Sequence, residues 1–268
     1  MMMRMMNSKN LGIILGALVI TNIAVADPIQ DPCGGNAALL AIVDRPTVGD
    51  SACVVPYKSV VMEFGYQHQN LTHGGNQDNF PEAELRFGLP SDNEFVLILP
   101  NYIHQSVSGF GAGTVGIKHE LGYNAHWLGS VEALFTLPMG SKAFGSDGLG
   151  EAANAIIYYA LNPKFNITFM IGASSQTTSR DEGGQRFNSV NPDLVFSWNP
   201  QPKLNFYAEV YGQSKAGPEL GSGFNMDAGV LYLLTKNLDV DLELGHRISG
   251  QLGGFDHYIG VGFAIMLP

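Results

Sequence analysis

Charge is scarce in this sequence. Asp, Glu, Lys and Arg make up 14% of its 268 residues, and the balance is one-sided, with 24 acids against 14 bases and a formal net charge of −10 at pH 7. An acidic chain of this kind excludes nucleic acid as a partner, because the phosphates would be repelled. Low charge combined with 33 glycines fits neither a disordered acidic chain nor the charged surface of an ordinary soluble domain. Long apolar runs are missing as well: beyond residue 26 nothing approaches the roughly 20 residues of a transmembrane helix. If the chain enters a membrane, it must do so as a closed barrel, the only other structure that satisfies its own backbone.

Motifs for chemistry are absent too. Seven histidines, His68, His73, His104, His119, His126, His246 and His257, are scattered, and none has a partner at a metal-ligand spacing. There is no nucleophile elbow and no Gly-rich strand-turn-helix phosphate loop; Gly113-Thr114-Val115-Gly116 and Gly145-Ser146-Asp147-Gly148 read as strand or turn glycines. A hydrolase carried on a barrel would need a Ser/His pair on one wall, and nothing selects such a pair. We therefore expect no enzyme, no metal and no cofactor.

What is present begins with an export signal. Arg4 and Lys9 precede an apolar run from Leu11 to Ile20, and Ala24-Val25-Ala26 supplies a small-x-small cleavage pattern. Residues 1–26 are expected to be a secretory signal peptide cleaved near Ala26. The run is short for an anchor and is followed by the turn formers Asp27-Pro28. Cleavage removes two basic residues and no acidic one, leaving a net charge of −12. In an exported chain the only two cysteines, Cys33 and Cys53, are most simply read as a disulfide, contributing about 3 kcal/mol by loop closure. A free pair or a metal site are the alternatives, and no histidine lies near enough to favour the latter. Residues 27–57, rich in Pro, Gly and small side chains with a helical patch near Ala37 to Val43, read as an N-terminal extension. It is expected either to plug a lumen or to sit on the periplasmic side.

Residues 58–268 are organised as alternating runs separated by turn signals. Leu238-Asp239-Val240-Asp241-Leu242-Glu243-Leu244-Gly245 is the clearest, with apolar residues on even numbers and carboxylates on odd ones. A strand gives that run one greasy and one acidic face, whereas a helix would smear both around the cylinder. Twelve such runs are expected, at 59–67, 80–89, 94–103, 112–121, 126–137, 152–161, 165–174, 190–198, 204–212, 224–234, 238–246 and 256–267. Each has about the 9 to 11 residues a tilted strand needs to cross a bilayer. Connections alternate between short ones (90–93, 122–125, 162–164, 199–203, 235–237) and longer ones (68–79, 104–111, 139–151, 175–189, 213–223, 247–255), the asymmetry of outer-membrane barrels with short periplasmic turns and long external loops. Parity agrees: a three-residue turn at 235–237 sets Leu231 opposite Asp241 and Gly229 opposite Glu243, and the turn at 162–164 sets Leu161 opposite Phe165.

Turning the apolar face of each run to lipid leaves Glu63, Glu82, Glu84, Arg86, Lys118, Glu120, Glu132, Asp193, Tyr207, Glu209, Tyr211, Asp227, Asp239, Asp241 and Glu243 lining the lumen. Either these charges satisfy one another, with Arg86 and Lys118 pairing to carboxylates, or they select a passing solute. The excess of acids favours cations and neutral molecules over anions. Inward glycines (Gly65, Gly88, Gly116, Gly172, Gly229, Gly245, Gly260, Gly262) either widen the bore or admit a close neighbour. Trp127 and Trp198, beside short turns, suit the periplasmic aromatic girdle.

Several segments also resemble one family. Arg45-Pro46-Thr47, Asp50-Ser51-Ala52-Cys53-Val54-Val55-Pro56, Glu63-Phe64-Gly65-Tyr66, Leu85-Arg86-Phe87-Gly88-Leu89, Gly116-Ile117-Lys118, Leu137-Pro138-Met139-Gly140, Glu209-Val210-Tyr211-Gly212 and Asp227-Ala228-Gly229-Val230 look like the outer-membrane barrels of the MetA-pathway phenol-degradation or transporter family. The resemblance covers nearly the whole mature chain and implies a bacterial outer-membrane barrel that passes small, often aromatic or hydrophobic, compounds. One departure is the end of the chain, Ile265-Met266-Leu267-Pro268, where such barrels usually carry a terminal aromatic; Phe263 is the nearest.

The expectation is thus an all-β, twelve-stranded antiparallel transmembrane barrel, a monomer in outer-membrane lipid, acting as a passive channel or facilitator for small solutes. The favoured route is a polar path past Glu82, Glu84, Arg86, Asp239, Asp241 and Glu243. The alternative is a non-conducting structural or surface barrel with a plugged lumen; a soluble periplasmic β-sheet protein is the remote third reading.

Overall fold

Alternating sequence becomes strand along the whole chain. The computed structural model describes residues 31–268, so the expected signal peptide and its cleavage at Ala26 lie outside the described residues. Fifteen β-segments form one antiparallel sheet: β1 (Val60–Leu71), β2 (Asn76–Phe80), β3 (Glu84–Leu89), β4 (Asn93–Ile98), β5 (Tyr102–His104), β6 (Ser108–Phe110), β7 (Thr114–Tyr123), β8 (Trp127–Thr136), β9 (Gly150–Asn162), β10 (Phe165–Thr177), β11 (Arg186–Gln201), β12 (Leu204–Gln213), β13 (Gly223–Thr235), β14 (Leu238–Ser249) and β15 (Phe255–Leu267). The sheet closes because β15 pairs with β1, in a register running from Val60↔Leu267 to Leu71↔Phe255. Closure removes the edges that an open sheet of this length would expose.

Three barrel strands are built from two segments each, which reduces the fifteen to twelve crossings. β2 and β3 meet at the cis peptide Phe80-Pro81 and at Glu82, whose φ is 43°. β4 and β5 meet around Pro100, and β6 and β7 across Gly111 and Gly113. Proline has no N–H to give a ladder, so Pro81 and Pro100 break two adjacent strands at one level. The tier β3–β4–β7 and the tier β2–β5–β6 then pair separately. Single backbone bonds, such as Leu99 N–H to Ala83 O at 2.8 Å and Gly111 N–H to Asn101 O at 2.8 Å, bridge the seam.

Register follows the parity of the sequence at the hairpin of β13 and β14, where Gly229 lies opposite Glu243 and Leu231 opposite Asp241. At the β9–β10 turn it does not. A bulge pairs Phe165 with Asn162 and Asn166 with Ala160, so Leu161 is not the partner of Phe165. Bulges of this kind absorb one residue and tighten the local twist. Strands also reach further than the alternation alone suggests: β1 and β2 fill most of 68–79, and β10 and β11 about half of 175–189.

The outward face carries the large exposed apolar side chains, among them Phe169, Ile171, Leu194, Phe196, Leu242, Val261 and Phe263. At the short-turn end Trp127 packs at a tilt against Tyr159 with 4.5 Å between ring centroids, and Trp198 stacks on Phe206 at 5.5 Å. Amphipathic rings at this level match the interfacial belt of a membrane barrel.

The inside is not empty. Residues 31–57, including the helix α1 (Ala38–Ile42), lie within the barrel. A helix of one turn with no side-chain cap has little stability of its own, so packing must hold it. Leu39 and Ile42 are fully buried against Leu128, Ile156, Met170, Val195, Leu231 and Leu233, the apolar members of the inward faces of β8 to β13. Of the two positions open to the extension in sequence, the structure takes the plug.

Candidate functional site

The plug meets its barrel through three polar clasps. The first is centred on Arg86 of β3, which is wholly buried. Its Nε donates to Glu94 Oε1 at 2.9 Å and its Nη2 to Glu94 Oε2 at 3.1 Å and to the Cys53 carbonyl at 3.2 Å. Nη1 reaches the Ile42 carbonyl, Asp44 at 3.2 Å and Glu63 at 3.3 Å. Lys118 of β7, equally buried, lies 3.2 Å from Asp44, 3.4 Å from Glu94 and 4.0 Å from Glu132. A guanidinium presents five donors in a fixed fork, so a residue with no access to water needs a partner on every side. Here the partners come from both wall and plug. Glu63 also accepts the backbone N–H groups of Asp44 and Arg45, and Glu94 that of Val55.

The second clasp is Arg45, which the plug extends toward β14. It pairs with Glu82 at 2.8 Å, Asp241 at 3.3 Å and Glu243 at 3.8 Å. Two inward glycines make this possible: a Cβ on Gly65 would lie 2.3 Å from the guanidinium carbon of Arg45, and one on Gly262 2.5 Å from its Nε. These glycines admit a neighbour instead of widening a bore. Gly245 and Gly229 do the same, covered by the rings of Tyr258 and Tyr207 respectively. The third clasp is Glu209 of β12, which accepts N–H bonds from Val48 at 3.0 Å and Gly49 at 2.7 Å.

The disulfide between Cys33 and Cys53 is present and ties the two ends of the plug loop together. Burial pushes the Asp44 carboxyl up to about 7 against the pull of Arg86 and Lys118. Burial also raises Asp50, helped by the neighbouring Glu132. Arg45 loses hydration, but Asp241, Glu82 and Glu243 outweigh that loss and hold it more firmly protonated than usual.

The inward residues named from sequence are thus spread over different tasks. Glu63, Glu82, Arg86, Lys118, Glu209, Asp241 and Glu243 hold the plug, as described. Glu132 lies at the edge of the first clasp and accepts an N–H from Asn154 at 2.9 Å. Glu84 is the strand partner of Glu63. Glu120 lies 4.0 Å from the Cys33 sulfur, beside the tether. Asp239 accepts the Ala264 N–H at 2.9 Å, and Asp227 the Tyr258 hydroxyl at 2.7 Å. Sequence reasoning missed Glu94, although parity with Val96 marks it as inward. It also missed Asp44 and Arg45, which carry the plug's half of two clasps. Among the described residues, no group of three or more His, Cys, Asp or Glu is arranged to hold a metal ion.

Opposite the two charged clasps, on the side where Glu209 bonds the plug backbone, the contact is different. Between the plug and the walls of β9 to β13 lies a cavity of about 570 Å³, lined by Ala37 and Ala41 on the plug and by Tyr158, Thr168, Tyr207 and Leu231 on the barrel. Pro163, Lys164 and Pro202 also line it, so it reaches the short-turn end.

A closed twelve-stranded antiparallel barrel holding an N-terminal plug defines the class: an outer-membrane-type β-barrel. Residues 43–254 match the family described as "Putative MetA-pathway of phenol degradation", and the chain belongs to it. No curated protein matches the chain. Among solved structures it is similar to the COG4313 outer membrane channel from Pseudomonas putida F1, with a TM-score of 0.65, 12% identity, and 82% of this chain and 100% of that one covered. It is also similar to the NanC porin, with a TM-score of 0.54 and 10% identity over 78% of this chain and 100% of that one. The KdgM porin gives 0.53 and 9% over 76% and 98%. At these identities the likeness is one of fold.

Proposed function

We propose that this protein is a bacterial outer-membrane channel or facilitator that passes small solutes down their gradient, as a monomer, through the space between plug and wall. The observation that carries this reading is the asymmetry of the plug's seat: its ion pairs all lie toward β3, β7, β14 and Glu82, and a cavity borders it toward β9 to β13. Solutes with an apolar body and a polar group suit that cavity, since Leu231, Ala37 and Tyr207 alternate there with Asn166, Thr168 and Asn205. The similarity of fold to outer membrane channels and porins supports the same reading. Uncompensated carboxylates in the lumen favour cations and neutral molecules over anions. No step of chemistry is assigned to the chain.

The deep burial of the clasps favours a second reading, a non-conducting barrel whose plug never leaves. Planar-bilayer recording separates the two. The channel reading expects the intact protein to conduct, with cations preferred over anions. Conductance seen only after deletion of residues 31–57 would establish the non-conducting reading, and no change in permeability of liposomes carrying the intact protein would sink the transport claim.

A further inference from the structure

Three inward carboxylates stand apart from the clasps. Glu209 of β12 is paired directly with Asp227 of β13, and Asp193 of β11 lies one diagonal away, its own partner being Tyr211. All three are buried, with exposures of 2%, 2% and 3%. Among the described residues no Lys, Arg or His lies within salt-bridge distance of any of them. Glu209 is satisfied by the plug backbone, whereas neither oxygen of Asp193 nor Asp227 Oδ1 meets an N–H or a hydroxyl donor, each acid having the carboxyl of Glu209 as its polar neighbour. A fourth buried polar atom is equally unpartnered. The hydroxyl of Tyr207, whose ring crosses Gly229 next to Asp227, makes no bond.

Buried polar groups are normally satisfied, and buried carboxylates without a cation are costly. The cluster also has a neighbour that explains how a ligand would come to it. Gly49 and Tyr207 line the cavity beside the plug, and a Cβ on Gly49 would sit 2.7 Å from Asp193 Oδ1. Gly49, which touches both, therefore stands between the cavity and the acids, none of which lines it.

We propose that Asp193, Glu209 and Asp227, with the hydroxyl of Tyr207, receive the ammonium group of an amphiphilic amine whose apolar part lies in the cavity. The carboxylates supply charge-assisted hydrogen bonds, and the rings of Tyr207 and Tyr258 add faces on which a cation is attracted. Arg45 does not compete, being held by Glu82, Asp241 and Glu243. This specificity rests on the reading of the cavity as a solute site, and is independent of whether the barrel conducts.

The test is calorimetric binding of 2-phenylethylamine and of its neutral counterpart 2-phenylethanol to the intact protein in detergent micelles. The amine is expected to bind about tenfold or more tighter than the alcohol, the gain typical of a charge-assisted pair. In Asp193→Asn/Asp227→Asn the ratio should fall close to one. Tyr207→Phe, which keeps the ring and removes only the hydroxyl, should lower the ratio part of the way, and it covers the case in which the double variant fails to give a heat-modifiable folded barrel. Equal binding of amine and alcohol overturns the amine site while leaving the cavity reading intact. Binding of neither overturns both. A preference that survives in the double variant shows that the ammonium is held elsewhere and overturns the assignment.

Discussion

The plug rests against two walls that hold it in different ways. Toward β1, β3, β4, β7 and β14 ion pairs and bonds to the plug backbone hold it, beside apolar contact at Val61, and Arg86, Lys118, Glu63 and Glu94 have no access to water. Toward β9, β10 and β11 the inward residues beside the cavity are Ile156, Tyr158, Thr168, Met170, Val195 and Ser197, which offer shape and dispersion but no charge, Asp193 further along β11 being the exception. Buried ion pairs are directional and costly to separate, because each partner is left desolvated. Apolar contact is non-directional and yields gradually. The charged wall therefore fixes where the plug sits, and the neutral wall is where a gap can exist and change.

The largest effect should come from breaking the charged wall. Arg86→Met leaves Glu94, Glu63 and Asp44 buried against one remaining cation, and is expected to cost about 3 to 5 kcal/mol. Denaturant unfolding of the barrel in micelles, followed by loss of the heat-modifiable band, measures this; an unchanged midpoint would contradict the clasp. Cys33→Ser/Cys53→Ser removes the tether, whose closed loop has a sequence separation of 20 and should contribute about 3 kcal/mol. Its signature is local: residues 31–57 should become sensitive to proteinase K while the strands stay protected.

A smaller change is expected from pH. Asp44 sits at about 7 in the seated plug against an ordinary 3.8, so the seated form binds the extra proton between those values. Seating should weaken as pH rises from about 4 through 7, the sign that linkage requires for an acid whose affinity for protons is raised on folding. Proteinase K cleavage of the plug should be faster at pH 8 than at pH 5, and Asp44→Asn should flatten the difference; cleavage that speeds up toward acid would reverse the argument. The least effect on stability belongs to the neutral wall. Thr168→Trp fills the cavity with little strain, and is expected to change the unfolding midpoint by less than about 1 kcal/mol while lowering solute flux into liposomes several-fold.

The barrel was legible strand by strand because a period of two is written locally. Each of the twelve expected runs became a strand, including those carrying Pro81 and Pro100, where the break into two tiers was not foreseen. Glycine was harder to read. Gly65 and Gly262 are ordinary strand glycines until Arg45 is known to lie across them. The polar path expected past Glu82, Arg86, Asp241 and Glu243 is filled by the plug, whose position no periodicity encodes.

By itself the sequence determined which residues form strands, which face of each turns inward and, at β13 and β14, which residue stands opposite which. Those properties follow from pleat and turn length, which act over a few residues. Only the tertiary structure decided that residues 31–57 enter the lumen, that Arg45 meets Asp241 across a separation of 196 residues, and that Asp193 and Asp227 are left buried without a base. Such pairings depend on closure of the barrel, which brings every inward side chain within reach of one segment whatever its distance along the chain.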